Sequence, residues 1–530
     1  MLLMSRRNVL GVCVGLMLFG IWNESASAWQ FGGGAAVAKP ARQNPRDATA
    51  SLEKRVAQEK EGRELFVRDW SKPDSKPAPG GDGLGPMYND VSCVACHEQG
   101  GTGGGGYAHK NVRLLHLVAV SGAPLRTTVT TDTNQKTRLQ VHPDLSGVTS
   151  LVLHRHQFKD GAELADYQRW LGQRLPRHLV DRTTHLPLVG DALVALVNQR
   201  PRNPSDVTSN FYRAEGLPVR MTERNTPALF GAGLIDSIPD AAIVEQAERQ
   251  KKNNAPLITG RVPTNASGEV GRFGWRGQVS SLKEFVMTAC SVELGLNVPE
   301  HQQAQPVVAR ERIEGVAVNG RAFQAANLDL TQEQCNSLTE YVANLPAPQM
   351  ARSDNLNQAK VIQRGSVLFE KVGCAICHVP DVGPVAGLFS DLLLHDMGPN
   401  LSDPLPAVPE LDERISPGNG SAYGQSIRIE LVKNITTNIH QEWRTPPLWG
   451  VGNSAPYLHD GRALTLEQAI QMHGGEGQRA AEAFRSLKHD ERSDLLVFLR
   501  SLTTPEDGPV RMPRMGGGAA GRGGGGGGFF

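Results

Sequence analysis

Two short segments of the chain carry the same arrangement of reactive side chains. Cys93-Val94-Ala95-Cys96-His97 and Cys374-Ala375-Ile376-Cys377-His378 each set two thiols on one turn, with an imidazole directly after the second. Two thiols so spaced can reach the two vinyl groups of one porphyrin, and the adjacent imidazole is then directed at its iron; C-x-x-C-H is the signature of covalent c-type haem attachment. The pattern predicts Cys93, Cys96, Cys374 and Cys377 as the linking residues and His97 and His378 as the proximal iron ligands. A redox dithiol or half of a zinc site would use the same cysteines. Zinc wants further paired ligands and a thioredoxin-like dithiol wants an α/β setting, and the sequence offers neither.

Seven cysteines occur in the 530 residues. Cys13 falls in an N-terminal leader, where Arg6 and Arg7 precede the apolar run Val9 to Ile21 and Ala26-Ser27-Ala28 supplies a small-residue cleavage site. That is the layout of a signal peptide over 1–28, by the general secretory route or, from Ser5-Arg6-Arg7, the twin-arginine route; either predicts an exported, periplasmic protein. The run is shorter than the roughly 20 residues a membrane-spanning helix needs, so no integral membrane domain is expected. Cys290 and Cys335 remain. In an oxidising compartment they are candidates for a disulfide, with separate buried thiols and direct thiol redox chemistry as the other readings.

The elements that must hold these groups are mostly helical. Helices are predicted from Glu53 to Trp70, around Thr226 to Leu234, from Pro239 onward with Ala242, Ile243, Val244 and Ala247 on one face, and over 279–291, 331–344, 357–371, 465–473 and 490–502. Strand-like pieces occur at VRLLHLVAVSG from Val112 and VTSLVLHRHQF from Val148. In the second segment Ile362, Val367 and Leu368 of AKVIQRGSVLFEKVG can pack against ERSDLLVFLRSL, with Gly365 permitting close approach. The fold class that follows is mainly α: two cytochrome c-like haem domains with long coil-rich insertions and a few short strands. The expected divisions are the leader 1–28, a disordered spacer 29–52, a first haem domain 53–350, a second 351–505 and a Gly-rich tail 506–530. The net charge of +1 gives no general electrostatic reason to bind nucleic acid or an anionic membrane. The run from Gly101 lacks the spacing and Lys-Ser/Thr ending of a phosphate-binding loop.

Further segments carry a resemblance. SDLLLHDMG from Ser390, WRTPPLWG from Trp443, APYLHDG from Ala455 with RALTLEQAIQMHGGEG after it, RNTPALFGAGLIDSIPD from Arg224 and GRFGW from Gly271, with the two C-x-x-C-H motifs, resemble the bacterial di-haem c-type oxidoreductases labelled thiol oxidoreductases. That group is distantly similar to di-haem cytochrome c peroxidases and to the di-haem enzyme that matures methylamine dehydrogenase. The resemblance spans most of 85–505. It implies an axial ligand fourteen residues after the motif histidine His459, which is His473 where the peroxidases have methionine; a bis-histidine iron has a lower potential than a His/Met iron. Met472 is the rival, and His395, Met397, His440 and His459 are the other local candidates. The resemblance also implies a calcium ion held by the carbonyls of Ser454 and Pro456, with a further ligand from the first domain.

For the first haem, His109, His116, His142, His154 and His156 are the candidate distal groups. Glu223, Asp236 and Asp240 are candidate acid/base residues near RNTPALFG, each of which would otherwise cap a helix or hold an arginine. Arg444 is a candidate propionate anchor. The functional expectation is an exported di-haem oxidoreductase of peroxidase type, passing electrons between two covalent haems, with a small redox protein as partner and peroxide as substrate. The rivals are a non-enzymatic di-haem electron carrier and an oxygen-dependent cleavage enzyme.

Overall fold

The computed structural model describes residues 45–72, 81, 83–85, 87–117, 150–157, 210–213, 218–254, 256–265, 267–304, 327–350, 355–403, 412–417, 427–432 and 439–505. The leader with Cys13, His142, the tail 506–530 and the side chains of His116 and His156 lie outside the described residues. The described residues belong to one compact unit beginning at Pro45.

Helices dominate: α1 (Pro45–Val67), α2 (Ala232–Asp236), α3 (Asp240–Asn254), α4 (Leu282–Glu293), α5 (Gln332–Ala343), α6 (Leu356–Lys371), α7 (Leu466–Gln471), α8 (Gln478–Ser486) and α9 (His489–Ser501). Their starts follow from local chemistry. Thr331 and Thr465 each cap their helix and receive a return bond through Gln334 and Gln468, the reciprocal arrangement that T-x-x-Q favours. Helix α1 starts eight residues before the expected Glu53, with Pro45 in the first turn where its missing N–H costs nothing.

The same helix crossing occurs twice. Helix α1 runs toward the first C-x-x-C-H and packs on α5; α6 runs into the second and packs on α9. Each crossing turns on a glycine. A Cβ on Gly62 would collide with the carbonyl oxygen of Ser337, and one on Gly365 with that of Asp494. Ile362 and Leu368 are buried at the second crossing as expected, whereas Val367 is 57% exposed, because it falls outside the stripe facing α9. A core cluster around Phe369, Phe484, Leu495 and Phe498 closes this end, each such side chain contributing about 1.5–3 kcal/mol.

Strands are short. A four-stranded antiparallel sheet orders as 150–153, 112–117, 218–224, 210–213. A two-stranded ribbon pairs Trp443 with His395 and Arg444 with Leu394. The helix expected over Thr226 to Leu234 forms only as α2. Pro227 supplies no N–H and Gly231 takes a left-handed φ of 70°. The extended part serves instead as a backbone partner, with Leu229 donating to Gly103 and Gly106 donating to Thr226. Helix α8 carries no apolar stripe that would announce it in the sequence, since only Ala481 and Phe484 of its residues are buried.

Candidate functional site

At the second C-x-x-C-H, Gly373 breaks α6 with a φ of 95° and the chain enters a tight turn over Cys374–Ile376. His378 follows, its backbone N–H donating to Cys374 and its Nδ1 donating to the carbonyl of Phe389 at 2.9 Å. That bond fixes the tautomer and leaves Nε2 as an unused lone pair. Desolvation pushes His378 down to about 4, so the ring is neutral and ready to ligate. His473 mirrors it: Nδ1 donates to Ala469 at 2.7 Å, desolvation lowers its pKa, and Nε2 is left over. Cys374, Cys377, His378, Arg444 and His473 all line one cavity of about 710 Å³. A volume of that order suits a large cofactor. Two neutral imidazoles with spare Nε2 atoms and two thiols on one wall are the donor set a covalently attached haem requires.

The other local candidates separate by what already occupies them. Met472 is 39% exposed and does not line the cavity. His395 has both nitrogens engaged, on Asp391 at 2.9 Å and on Glu476. His459 lines the cavity but stacks on Trp443 at 3.6 Å and 11°. Met397 also faces the cavity, while His440 does not. Arg444 is buried, with Nε donating to Gly274 at 3.0 Å, and desolvation brings its pKa down to about 10.

The first C-x-x-C-H has the same logic. His97 donates from its backbone to Cys93 and from Nδ1 to the carbonyl of Gly104 at 3.2 Å, and desolvation lowers it to about 4. The glycine run from Gly101 folds back to make this bond, with Gly103 donating to His97. Of the expected distal groups, His109 is exposed and stacked on Tyr107. His154 is buried and bonds Val292 through Nε2 at 2.9 Å, desolvation lowers it to about 4, and its enclosed Nδ1 has no partner.

The three acid/base candidates each hold structure. Glu223 accepts from Asn111 at 2.9 Å and lies near Arg113. Asp236 accepts from the backbone of Leu282 at 2.8 Å, at the start of α4, and Asp240 pairs with Arg272. Sequence reasoning missed Glu293. Its Oε2 accepts from Asn89 at 2.5 Å while its Oε1 is enclosed and has no partner. Desolvation raises its carboxyl to about 7, and it is near enough to Cys96 to raise that thiol. The signal was a lone acid at the C-terminal end of the apolar helix α4, where the helix dipole disfavours negative charge.

Three contacts tie the first segment to the 455–460 loop. Gln99 donates from Nε2 to Ala455, Asn111 from Nδ2 to Asp460 at 3.0 Å, and Asn225 from its backbone to His459 at 2.8 Å. The Oε1 of Gln99 is enclosed without a partner. Cys290 and Cys335 are both buried in one cluster as free thiols, so the disulfide considered between them is not formed in the structure; desolvation, Cys93 and Cys335 all raise Cys290.

Comparison with known proteins decides the family. The family described as "Di-haem oxidoreductase, putative peroxidase" matches residues 32–142, 195–412 and 433–502. The chain belongs to this di-haem oxidoreductase family. Among relatives, the cytochrome-c peroxidase IdrP1 of Pseudomonas sp. (strain SCT) is 25% identical over 45% of this chain and 66% of its own length. The methylamine utilization protein MauG of Methylorubrum extorquens is 23% identical over 46% of this chain and 64% of its own. The chain thus spans about two thirds of the length of these relatives. A solved structure of the di-haem peroxidase BthA from Burkholderia thailandensis covers 66% of this chain and 90% of that one, at 15% identity and a TM-score of 0.28. Family membership makes the chain redox-active and haem-using at the level of the family. Among the described residues no helix is long and apolar enough to cross a membrane.

Proposed function

We propose that the chain is an exported, periplasmic di-haem c-type oxidoreductase that reduces peroxide, with a haem lobe over 53–350 and another over 351–505. The observation that carries this reading is the shared state of His378 and His473, each neutral, each with Nδ1 held by a backbone carbonyl and Nε2 left for a metal on one cavity, while His97 is likewise desolvated and neutral, held by the carbonyls of Gly104 and Pro227. When bound, the two haems supply iron that stores and passes single electrons. Cys93 with Cys96 and Cys374 with Cys377 anchor them, and Arg444 offsets a propionate charge inside the cavity. His378 and His473, which line the same cavity, would hold the iron of the second haem, and a bis-histidine iron would supply electron transfer. At the first site His97 holds one side. Glu293, with an unpartnered oxygen and a carboxyl near 7, takes a proton from peroxide and returns it to the departing oxygen. Two electrons, delivered by a small redox protein, and two protons convert one hydrogen peroxide to two waters.

The carbonyls of Ser454 and Pro456 flank Ala455, on which Gln99 already rests. We propose that Gln99 Oε1 joins them on a calcium ion bridging the two segments, since a hard cation satisfies an enclosed oxygen that lacks a donor.

The test is to purify the exported protein, count covalent haems by mass, reduce it partially and add hydrogen peroxide. Two haems per chain and two reducing equivalents consumed per peroxide are expected. Exclusively low-spin haem with no response to peroxide would make the chain an electron carrier instead, and oxygen uptake coupled to cleavage of a hydrophobic polymer would make it an oxygen-dependent enzyme.

A further inference from the structure

A buried cluster beside the second site is absorbed by none of the roles above. Asp391 is fully buried and tied to the attachment turn: its backbone N–H donates to Cys377 at 2.9 Å, and its Oδ1 accepts from Leu393 at 2.9 Å. Gln250 reinforces the same turn, donating from Nε2 to Asp391 Oδ2 at 2.5 Å and to the carbonyl of Ile376 at 2.9 Å. His395, 3% exposed, donates from Nε2 to Asp391 Oδ2 at 2.9 Å and from Nδ1 to Glu476, with Cys377 Sγ at 3.8 Å. Glu476 lies three residues beyond His473, in the short turn Gly475–Gly477.

The backbone makes the same join independently. A Cβ on Gly475 would collide with the carbonyl oxygen of Asp396, the residue after His395, so the turn that follows His473 is pressed onto the strand that carries His395. The chain of bonds therefore runs from Cys377, next to the proximal histidine, through Asp391 and His395 to Glu476, next to the distal one. Two carboxylates facing one ring favour its doubly protonated form, in which both nitrogens donate; against the desolvation of its site, Asp391 holds His395 well above its ordinary pKa.

We propose that Asp391, His395 and Glu476 form a latch that sets the distance between the attachment turn and the loop carrying His473, His395 being a positioning residue for the sixth ligand of the second haem. The proposal rests on the reading of His473 as that ligand. Without the latch, His378 keeps its bond to Phe389 and the thiols keep their turn, so the haem remains attached. The loop over 473–477 loses its buried tie to His395 and keeps only the exposed bond from Thr259 to Glu476 at 3.4 Å, and His473 leaves the iron more readily.

The experiment uses the haem-loaded protein with His395→Gln, Glu476→Gln and, as reference, His473→Ala. Glu476 is at the rim of the cluster, and its isosteric change keeps the Asp391–His395 pair, so it guards against misfolding of the His395 variant. Covalent haem content, the low-spin spectrum of the second haem and carbon monoxide binding to the reduced protein are read in each. The expected result is two covalent haems throughout, a high-spin fraction at the second haem in both latch variants, and at least a tenfold gain in carbon monoxide affinity there, approaching His473→Ala. If His473→Ala changes the spectrum while the latch variants bind carbon monoxide as the wild type does, the latch is wrong and the ligand reading stands. If His473→Ala leaves the spectrum unchanged, both fall. Loss of covalent haem in Glu476→Gln would also overturn the proposal, since the cluster would then serve attachment rather than ligation.

Discussion

Changing Glu293 to glutamine should make the protein more stable at neutral pH and less active. In the folded state the carboxyl rises from its ordinary 4.5 to about 7, chiefly through desolvation and in spite of the bond from Asn89. At about 1.4 kcal/mol per pKa unit, ionising it in place costs about 3 kcal/mol. At pH 4.5 and below, folded and unfolded chains both hold the proton and nothing is lost. Between 4.5 and 7 the folded chain keeps a proton that the unfolded chain has released, so stability falls as pH rises, by up to about 1.4 kcal/mol per pH unit, and levels off above 7. Glutamine keeps an oxygen for Asn89 and does not titrate. Denaturant unfolding of the haem-loaded protein at pH 4.5, 6 and 8 should therefore show Glu293→Gln gaining on the wild type by about 3 kcal/mol across the series. Peroxide turnover should fall by about 10²–10⁴-fold, the usual contribution of general acid/base catalysis. Parallel stability profiles for the two proteins would refute the burial argument, and unimpaired turnover would refute the catalytic one.

Replacing His473 by methionine should preserve low-spin ligation and raise the midpoint potential of the second haem, since thioether ligation favours the reduced state; redox titration would show an unshifted potential if His473 is not the ligand. Gly365→Ala should cost about 1–3 kcal/mol in denaturant unfolding, because the new methyl meets the Asp494 carbonyl and must push α6 off α9. The His301–Glu284 pair, at 3.0 Å, raises the histidine and lowers the glutamate. The histidine's share is present below about 6.5 and is lost as pH rises through its raised pKa; the glutamate's share is present above about 4.5 and is lost as pH falls. With Glu284 half exposed the pair contributes less than about 1 kcal/mol, so His301→Gln should narrow the gap to wild type on both flanks of that window. Chelation with EGTA should lower the thermal midpoint of the wild type and leave Gln99→Leu little changed; equal shifts in both would remove Gln99 from the calcium site.

Much of the site was legible in the sequence because its chemistry is local. Two thiols and an imidazole within five residues raise the expectation of haem attachment without reference to the rest of the fold, and the helices α4 to α7 announce themselves through caps and apolar stripes. His473 came from a resemblance, and the structure added the physical reason that it suits a metal: a bond from Nδ1 to its own helix, leaving Nε2 free. The acid/base candidates near RNTPALFG share one feature that the sequence did not show. Each has its charge taken up by a neighbour, Asn111, the α4 backbone or Arg272, and which neighbour arrives is a question of packing.

The sequence by itself determined the di-haem family and the helical class, and carries the proposals of covalent attachment, two proximal histidines and a leader, all of which are written in residues close together along the chain. Only the tertiary structure decided which carboxylate is left with an unpaired oxygen, which histidine is spoken for and which loops are joined. Glu293 is defined by Asn89, His395 by Asp391 and Glu476, and Gln99 by Ala455. The physical reason is that a polar group's reactivity depends on whether its hydrogen bonds are already made, and in a folded chain the partners that make them come from hundreds of residues away as readily as from the next turn.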